Sequence, residues 1–367
     1  MQLTNKRRKQ GKLLHSLGLM TANLFAATHG YASTGDVIED VPGGPGTATI
    51  DAAVLFYQEA GGRVKAIEPT TAISIVRENG DIFNARFTYD SLTGATPNGA
   101  APWSGVQTFT TPAAKPGEQV AVTSASGHRT LVTLPGTSTT VAQYTAEANT
   151  LPVDAGFMDK RTAFDVGYTM NWNPETTTSF GFSVSNEVDF KSWSASGSIS
   201  RALFDKNTTL TLGLNYENDK SNPLFGTPTP FTRMNGLEKG PGDSKTVTSV
   251  IAGLTQVMNR RWLMQVNYDI GWNNGYQNDP YKVVSVVDPH SGLPLQYLYE
   301  SRPDSRVRQS LYLGNKLALG PTVADVSFRY YHDSWGIKSM TGELSERIPL
   351  SRSFYIEPEF HYYRQTA

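Results

Sequence analysis

The run from Trp262 to Trp272, WLMQVNYDIGW, constrains the fold more than any other stretch of the chain. Its even positions, Trp262, Met264, Val266, Tyr268, Ile270 and Trp272, are apolar or aromatic, and Leu263, Gln265, Asn267, Asp269 and Gly271 lie between them. Strict alternation specifies a β-strand whose two faces meet different surroundings, and about 9–11 tilted residues cross one bilayer. A soluble sandwich strand alternates too, so the neighbouring segments decide. Phe164, Val166, Tyr168, Met170 and Trp172 alternate with Asp165, Gly167, Thr169 and Asn171; Leu210, Leu212, Leu214 and Tyr216 alternate with Thr211, Gly213, Asn215 and Glu217. The water-facing side of a soluble sheet carries many Lys and Glu. Here the polar side is rich in Gly, Thr, Asn and Ser, and aromatics end the apolar side, which is the transmembrane barrel pattern with interfacial girdles.

Nothing in the 367 residues is long and apolar enough for a spanning helix, so any crossing is made by strands. Backbone polar groups in lipid must pair within the protein, which leaves a closed antiparallel up-and-down barrel of outer-membrane type, all-β, with roughly twelve to sixteen strands when complete. Zero cysteines exclude disulfides and thiolate metal sites. No HExxH, glycine-rich phosphate loop or zinc-spaced histidine pair is present, so neither cofactor nor metal is expected.

Residues 1–32 read as a signal peptide. Lys6, Arg7, Arg8, Lys9 and Lys12 form a basic start, Leu13 to Ala27 an apolar core too short to span, and Gly30, Tyr31 and Ala32 place cleavage after Ala32. Removing five basic and no acidic residues leaves 27 basic against 33 acidic, a formal charge of −6, which gives no reason to expect nucleic acid. Residues 33–49 read as a Gly/Pro-rich lead-in, residues 50–367 as the barrel, and 112–157 as an irregular insertion: an extracellular loop, a partial plug or a disordered segment. Asn79-Gly80 signals a hairpin with a type I′ turn. Asp90 to Ala100, DSLTGATPNGA, reads as turns rather than strand, with a small oxygen-ligand cation site as the functional alternative. Short connections at Asn173–Glu175, Asp205–Asn207, Met258–Arg261, Gly320–Pro321 and Pro349–Arg352 alternate with long ones at Asn218–Ser244 and Asn273 to about Ser305. Short turns are expected on the periplasmic side.

Parity assigns Asp165, Asp269, Lys316, Asp325, Arg329, Glu343 and Arg347 to the polar interior as lumen-lining candidates. Two interiors compete, a wet channel with a charged wall or a closed interior knitted by ion pairs; mixed signs favour the second and separated stripes the first. At the mouth, Asp279, Tyr281, Lys282, Glu300, Arg302 and Asp304 are loop-binding candidates for an anionic ligand or a protein, set against a reading as loop-ordering ion pairs worth little when exposed. His332-Asp333-Ser334 places triad residue types side by side, but neighbouring strand residues point to opposite faces and no GxSxG occurs, so no catalytic residue is expected.

YDSLTGATPNGA, FMDKR, GYQNDPYK, YESRPDSRVRQS, RYYHDSWGIKSMT and HYYRQTA, in that order, resemble the motifs of a bacterial outer-membrane β-barrel family catalogued as a domain of unknown function (DUF3570). The resemblance implies an outer-membrane barrel of Gram-negative bacteria and association with periplasmic flavin-transfer or thioredoxin-like proteins. Met340 stands where that family usually has histidine, and the chain stops at Ala367 where family members continue, so its last strands are expected to be missing. The expected role is a channel or ligand-binding pore for small solutes. The partners expected are outer-membrane lipid, the barrel-assembly machinery and a periplasmic protein. The alternatives are a non-conducting anchor or assembly partner of a redox- or flavin-linked periplasmic system, and a lipid hydrolase using Ser334.

Overall fold

The structure, a computed structural model, describes residues 44–59, 64–112, 130–133, 140–223, 226–234, 240–351 and 354–366. The expected signal peptide, most of the expected lead-in and much of the expected 112–157 insertion lie outside the described residues. The elements are β1 (Thr47–Gln58), β2 (Val64–Val76), β3 (Ile82–Pro97), β4 (Gln107–Pro112), β5 (Thr130–Thr133), β6 (Thr140–Ala146), β7 (Val153–Asn173), β8 (Thr176–Asn186), β9 (Phe190–Leu203) and β10 (Thr208–Ser221). There follow β11 (Asp243–Asn259), β12 (Trp262–Gly275), β13 (Val283–Val287), β14 (Pro294–Tyr299), β15 (Ser305–Leu319), β16 (Thr322–Asp333), β17 (Lys338–Pro349), β18 (Tyr355–Ile356) and β19 (Glu359–Gln365). Fourteen of them form one antiparallel sheet, β1-β2-β3-β7-β8-β9-β10-β11-β12-β15-β16-β17, with β18 and β19 both on β17. Each strand pairs with the next one in the sheet, which is up-and-down topology. Among the described residues no ladder joins β1 to β17–β19, so the sheet has two free edges.

The polarity of the two faces is inverted relative to a soluble protein. Along β10, Leu210, Leu212 and Leu214 are 48%, 55% and 53% exposed, while Asn215, Glu217 and Asp219 on the other face are buried. The two faces of a flat sheet would be equally covered, so the sheet curls with its polar face inward. The exposed face continues through Phe180, Phe182, Ile199, Leu311, Leu313 and Phe328 on neighbouring strands. Leaving one such side chain in water forgoes roughly 1.5–3 kcal/mol, and a contiguous apolar surface of this extent belongs in lipid. Its margins are aromatic. Trp262 and Trp272 stand ten residues apart on β12; at about 3.4 Å per residue and a tilt of about 40° this spans roughly 25 Å, the height of a barrel's apolar band. Polar handles on this face of β12 are satisfied: Trp262 Nε1 donates to Asn315 at 2.9 Å and Tyr268 Oη to Gln309 at 2.8 Å. The fold is therefore that of a transmembrane β-barrel of outer-membrane type.

Tight connections, at 77–81, 174–175, 204–207, 260–261 and 320–321, fall at one end, the turn end. The other, the loop end, carries the described residues of the connections 98–152, 222–242 and 276–304, together with the short links 187–189 and 334–337. Several sequence expectations need correction. The strand β3 runs straight through Asp90 to Pro97, because pairing with β7 from Asp90↔Arg161 to Pro97↔Val153 outweighs the turn propensity of those residues; a register shift at Gly94/Thr96 absorbs part of it. Asn98 does close a local turn, accepting from Ala100 N at 2.9 Å, with Gly99 at φ +90°. Strand structure also starts at Thr47, inside the expected lead-in, and β7 starts at Val153, inside the expected insertion.

The Asn79-Gly80 hairpin forms with a different turn. Only Gly80, at φ +87°, has positive φ, and its N–H bonds to Arg77 O at 2.9 Å while Arg77 N bonds to Asp81 O at 2.8 Å, which is a type I turn closed by a left-handed glycine. Asp81 then accepts from Asn171 N at 2.9 Å, Tyr168 Oη at 2.9 Å and Asn79 Nδ2 at 2.8 Å. These donors, the Asn171 backbone first, hold the Asp81 carboxyl below its usual range. A depressed folded-state pKa gives stability that is present above the unfolded value of about 3.9 and is lost as pH falls through the folded value. Asp81→Ala is expected to cost about 1–3 kcal/mol at pH 7 in urea unfolding, with the gap to the parent protein closing below about pH 4. A gap independent of pH would show that the hydrogen bonds to the ionised carboxylate are not the cause.

Candidate functional site

The inner face has two unlike walls. Across β7, β8, β9 and β10 the ladders bring small side chains together in rows, such as Thr169, Ser179, Ser198 and Gly213, or Gly167, Gly181, Ser196 and Asn215. The strand β9 contributes Ser192, Ser194, Ser196, Ser198 and Ser200 at every second position. Hydroxyls bond across strands, Thr169 to Ser179 at 2.9 Å and Ser200 to Thr211 at 2.9 Å, and Ser183 donates to Asp165 at 2.6 Å. Such side chains line a surface without filling the space before it.

The second wall, β12 with β15 to β19, is charged. Ladder parity puts Asp269, Lys316, Asp325, Arg329, Glu343 and Arg347 on the same face as Asp165, as alternation indicates. Lys316 pairs with Asp325 at 3.4 Å, Arg347 with Glu357 at 2.9 Å, and His361 with Glu343 at 3.2 Å. The Lys316 and Asp325 side chains remain 49% and 46% exposed, so their pair is a loose surface contact worth about 0–1 kcal/mol. The guanidinium of Arg329 lies 5.5 Å from the Tyr312 ring.

At the loop end, most loop-binding candidates hold the loop itself. Asp279 N donates to Glu300 at 2.6 Å and Asp279 accepts from Tyr281 N at 2.9 Å; Arg302 pairs with Glu300 at 2.8 Å; Lys282 Nζ bonds the Pro97 carbonyl; Gly275 N bonds Asp304 O at 2.7 Å. Tyr281 Oη reaches Asp189 in the β8–β9 link, and burial, then Asp189, raises its hydroxyl pKa. In that link burial, with Asp159 beside it, pushes the Glu187 carboxyl up to about 7. Above these residues the loops share an apolar core of Ala100, Phe109, Tyr144, Ala146, Val283 and Tyr299. Phe109 stacks on Tyr144 with centroids 5.3 Å apart and packs on Tyr297 at 4.7 Å; Asn98 Nδ2 donates to Tyr144 at 2.8 Å and Gln107 Nε2 to Tyr297 at 2.8 Å. The described part of the insertion thus packs against the β13–β14 hairpin. The hairpin in turn pairs with the β10–β11 loop through Met234 N to Tyr297 O at 3.1 Å.

The triad-like tripeptide is a structural lock. The Asp333 carboxylate, 1% exposed, accepts from Arg306 Nε at 2.8 Å and from its Nη2, from Tyr331 Oη at 2.9 Å, Trp335 N at 2.9 Å and Ile337 N at 3.0 Å. Arg306 also lies 4.4 Å from the Trp335 ring, and Gly336 takes the left-handed position at φ +87°. Ser334 Oγ accepts from Val307 N at 3.0 Å. His332 alternates to the face opposite Asp333.

Sequence reasoning missed two features. The serine row of β9 carries a period-2 signal in KSWSASGSIS, diluted because its outward positions include Ala195 and Gly197. The Asp219–Lys245 ion pair at 3.0 Å involves Asp219, which the sequence reading gave to the Asn218–Ser244 loop; β10 and β11 extend far enough to place it opposite Lys245.

The profile of the family described as a protein of unknown function (DUF3570) matches residues 19–367. The chain belongs to this family. No curated protein matches this DUF3570 chain. Among solved structures it is similar to a mutant of the ferric enterobactin receptor PfeA of Pseudomonas aeruginosa, at 11% identity and TM-score 0.41 over 87% of this chain and 44% of that one. It is also similar to the ferric-catecholate import receptor Fiu of E. coli, at 8% identity and TM-score 0.42 over 89% and 62%, and to OccAB1 of Acinetobacter baumannii, at 11% and 0.35 over 87% and 90%. The DUF3570 chain spans less than half of the PfeA chain.

Proposed function

We propose that this DUF3570 protein forms an aqueous pore in the outer membrane through which small solutes pass or in which they bind, with lipid around its apolar face. The observation that carries this reading is the inner surface: a wall of serine, threonine and glycine beside a wall of charges whose ion pairs stay close to half exposed. The small side chains do not themselves fill the interior, and loosely held charges stay exposed, which favours the wet channel over the knitted interior. Lumen residues Asp165, Asp269, Lys316, Asp325, Arg329, Glu343 and Arg347 set selectivity in this reading, and no catalytic step is assigned to it. Single-channel recording in a planar bilayer tests it, with discrete, salt-dependent steps as the expected result. Neutralising Arg329 and Arg347 to glutamine is expected to shift permeability toward cations. The shift should be largest at about 0.1 M salt, where screening extends about 10 Å, and should fade at about 1 M. Unchanged selectivity at low salt would remove these two residues from the lumen. Silence from protein shown to be folded would favour the alternative, a barrel anchoring a periplasmic partner.

A further inference from the structure

Strand parity sorts the charges at the loop end as it sorts the apolar residues. On the outward face it places Lys65 on β2, Lys160 on β7, Lys191 on β9, Lys220 on β10, Lys338 on β17 and Arg364 on β19, all of them exposed. Each stands two or four residues beyond an outward apolar or aromatic side chain of its own strand, respectively Ile67, Phe164, Trp193, Tyr216, Met340 and Tyr362. The carboxylates of this level take the other parity, Asp159 beside Lys160 and Asp219 beside Lys220. Among the described side chains, no acid shares the outward face of the loop-end half, and none of the six cations has an ion-pair partner. At the turn end the same face carries both signs, Arg201 and Glu346. Lys191 and Lys220 lie directly opposite each other in the β9–β10 ladder, where like charges repel unless an anion lies between them.

We propose that this outward belt of cations binds the phosphate groups of an anionic lipid in the leaflet at the loop end. The apolar band directly below the belt is the surface that acyl chains cover, so the headgroups of the same lipids stand at the height of the lysines. Long lysine and arginine stems lie along apolar surface and hold the charge at the interface, and an ammonium group meets a phosphate as a point charge with three donors. The cations run from β2, next to one edge of the sheet, to β19 at the other. That spread fits a ring of many headgroups better than one docked protein. Segregation of sign gives the orientation: phosphate is attracted at the loop end and finds no such preference at the turn end, where Arg201 and Glu346 share the face. The inference deepens the reading of lipid around the apolar face and rests on it, and it holds whether or not the interior conducts.

The test uses the whole folded protein, with folding of each variant checked by heat-shifted migration on gels. The protein in detergent is mixed with equal amounts of bisphosphorylated lipid A, dephosphorylated lipid A and zwitterionic phosphatidylcholine, and the lipids it retains are read by native mass spectrometry. Preferential retention of the bisphosphorylated form is expected. Lys191→Gln combined with Lys220→Gln is expected to lower that retention about tenfold and to leave phosphatidylcholine unchanged, whereas Arg201→Gln at the turn end leaves both unchanged. Equal retention of the phosphorylated and dephosphorylated forms, full retention by the double variant, or an equal loss in Arg201→Gln overturns the phosphate belt and leaves the lipid-facing band standing. A folded protein that retains none of the three lipids overturns the lipid-facing reading together with the belt.

Discussion

Leu212→Arg is expected to destabilise the folded barrel in lipid by about 2–4 kcal/mol, the cost of a cation near the middle of the lipid face. Its neighbour Thr211, one residue away and on the inner face, is expected to accept arginine at a much smaller cost. The contrast follows from exposure: Leu212 is 55% exposed on the apolar face, whereas the other parity of β10 bears Asn215, Glu217 and Asp219 under cover. Guanidinium unfolding of both variants in lipid vesicles provides the comparison. Equal costs, or a larger cost at Thr211, would contradict the assignment of faces.

Asp333→Ala is expected to be the more damaging change, by about 3–5 kcal/mol, because it strips partners from a buried carboxylate site and leaves the Arg306 guanidinium without its anion. The backbone N–H groups of Trp335 and Ile337 lose their acceptor at the same time, so the β16–β17 link comes apart along with the ion pair. Arg306→Leu is expected to cost less, since Asp333 keeps Tyr331 and those two N–H groups. The order of the two thermal midpoints checks this. If Arg306→Leu proves as costly as Asp333→Ala, the ion pair and not the backbone cap carries the lock.

These residues show where a sequence speaks and where it stops. Alternation along β12 and β10 states which side chains share a face, because strand parity is strictly two, and the charged residues assigned to the interior by parity do lie on one face. Local composition misled at Asp90–Pro97, where turn-forming residues are held extended by β7 beside them. The β13–β14 hairpin was hidden inside a long connection, although Asp288, accepting from Ser291 N at 2.8 Å and His290 N at 3.0 Å, marks its turn. The cationic belt at the loop end was illegible for a deeper reason. Parity gives the face of a residue but not its height, and only the register of neighbouring strands puts Lys191 opposite Lys220.

The central claim is that the small-residue face of the sheet meets water while the opposite face meets lipid, and the absence of cysteine from the whole chain allows it to be tested with single thiols. Ser198 and Leu212 are suitable positions, for they lie on adjacent strands at nearly the same height, Ser198 opposite Gly213 and Leu212 opposite Ile199. With the protein in liposomes, a charged maleimide small enough to enter the lumen is expected to label Ser198→Cys and to spare Leu212→Cys, which a lipid-soluble maleimide then reaches. Labelling of Leu212→Cys by the charged reagent, with Ser198→Cys protected, would contradict the account.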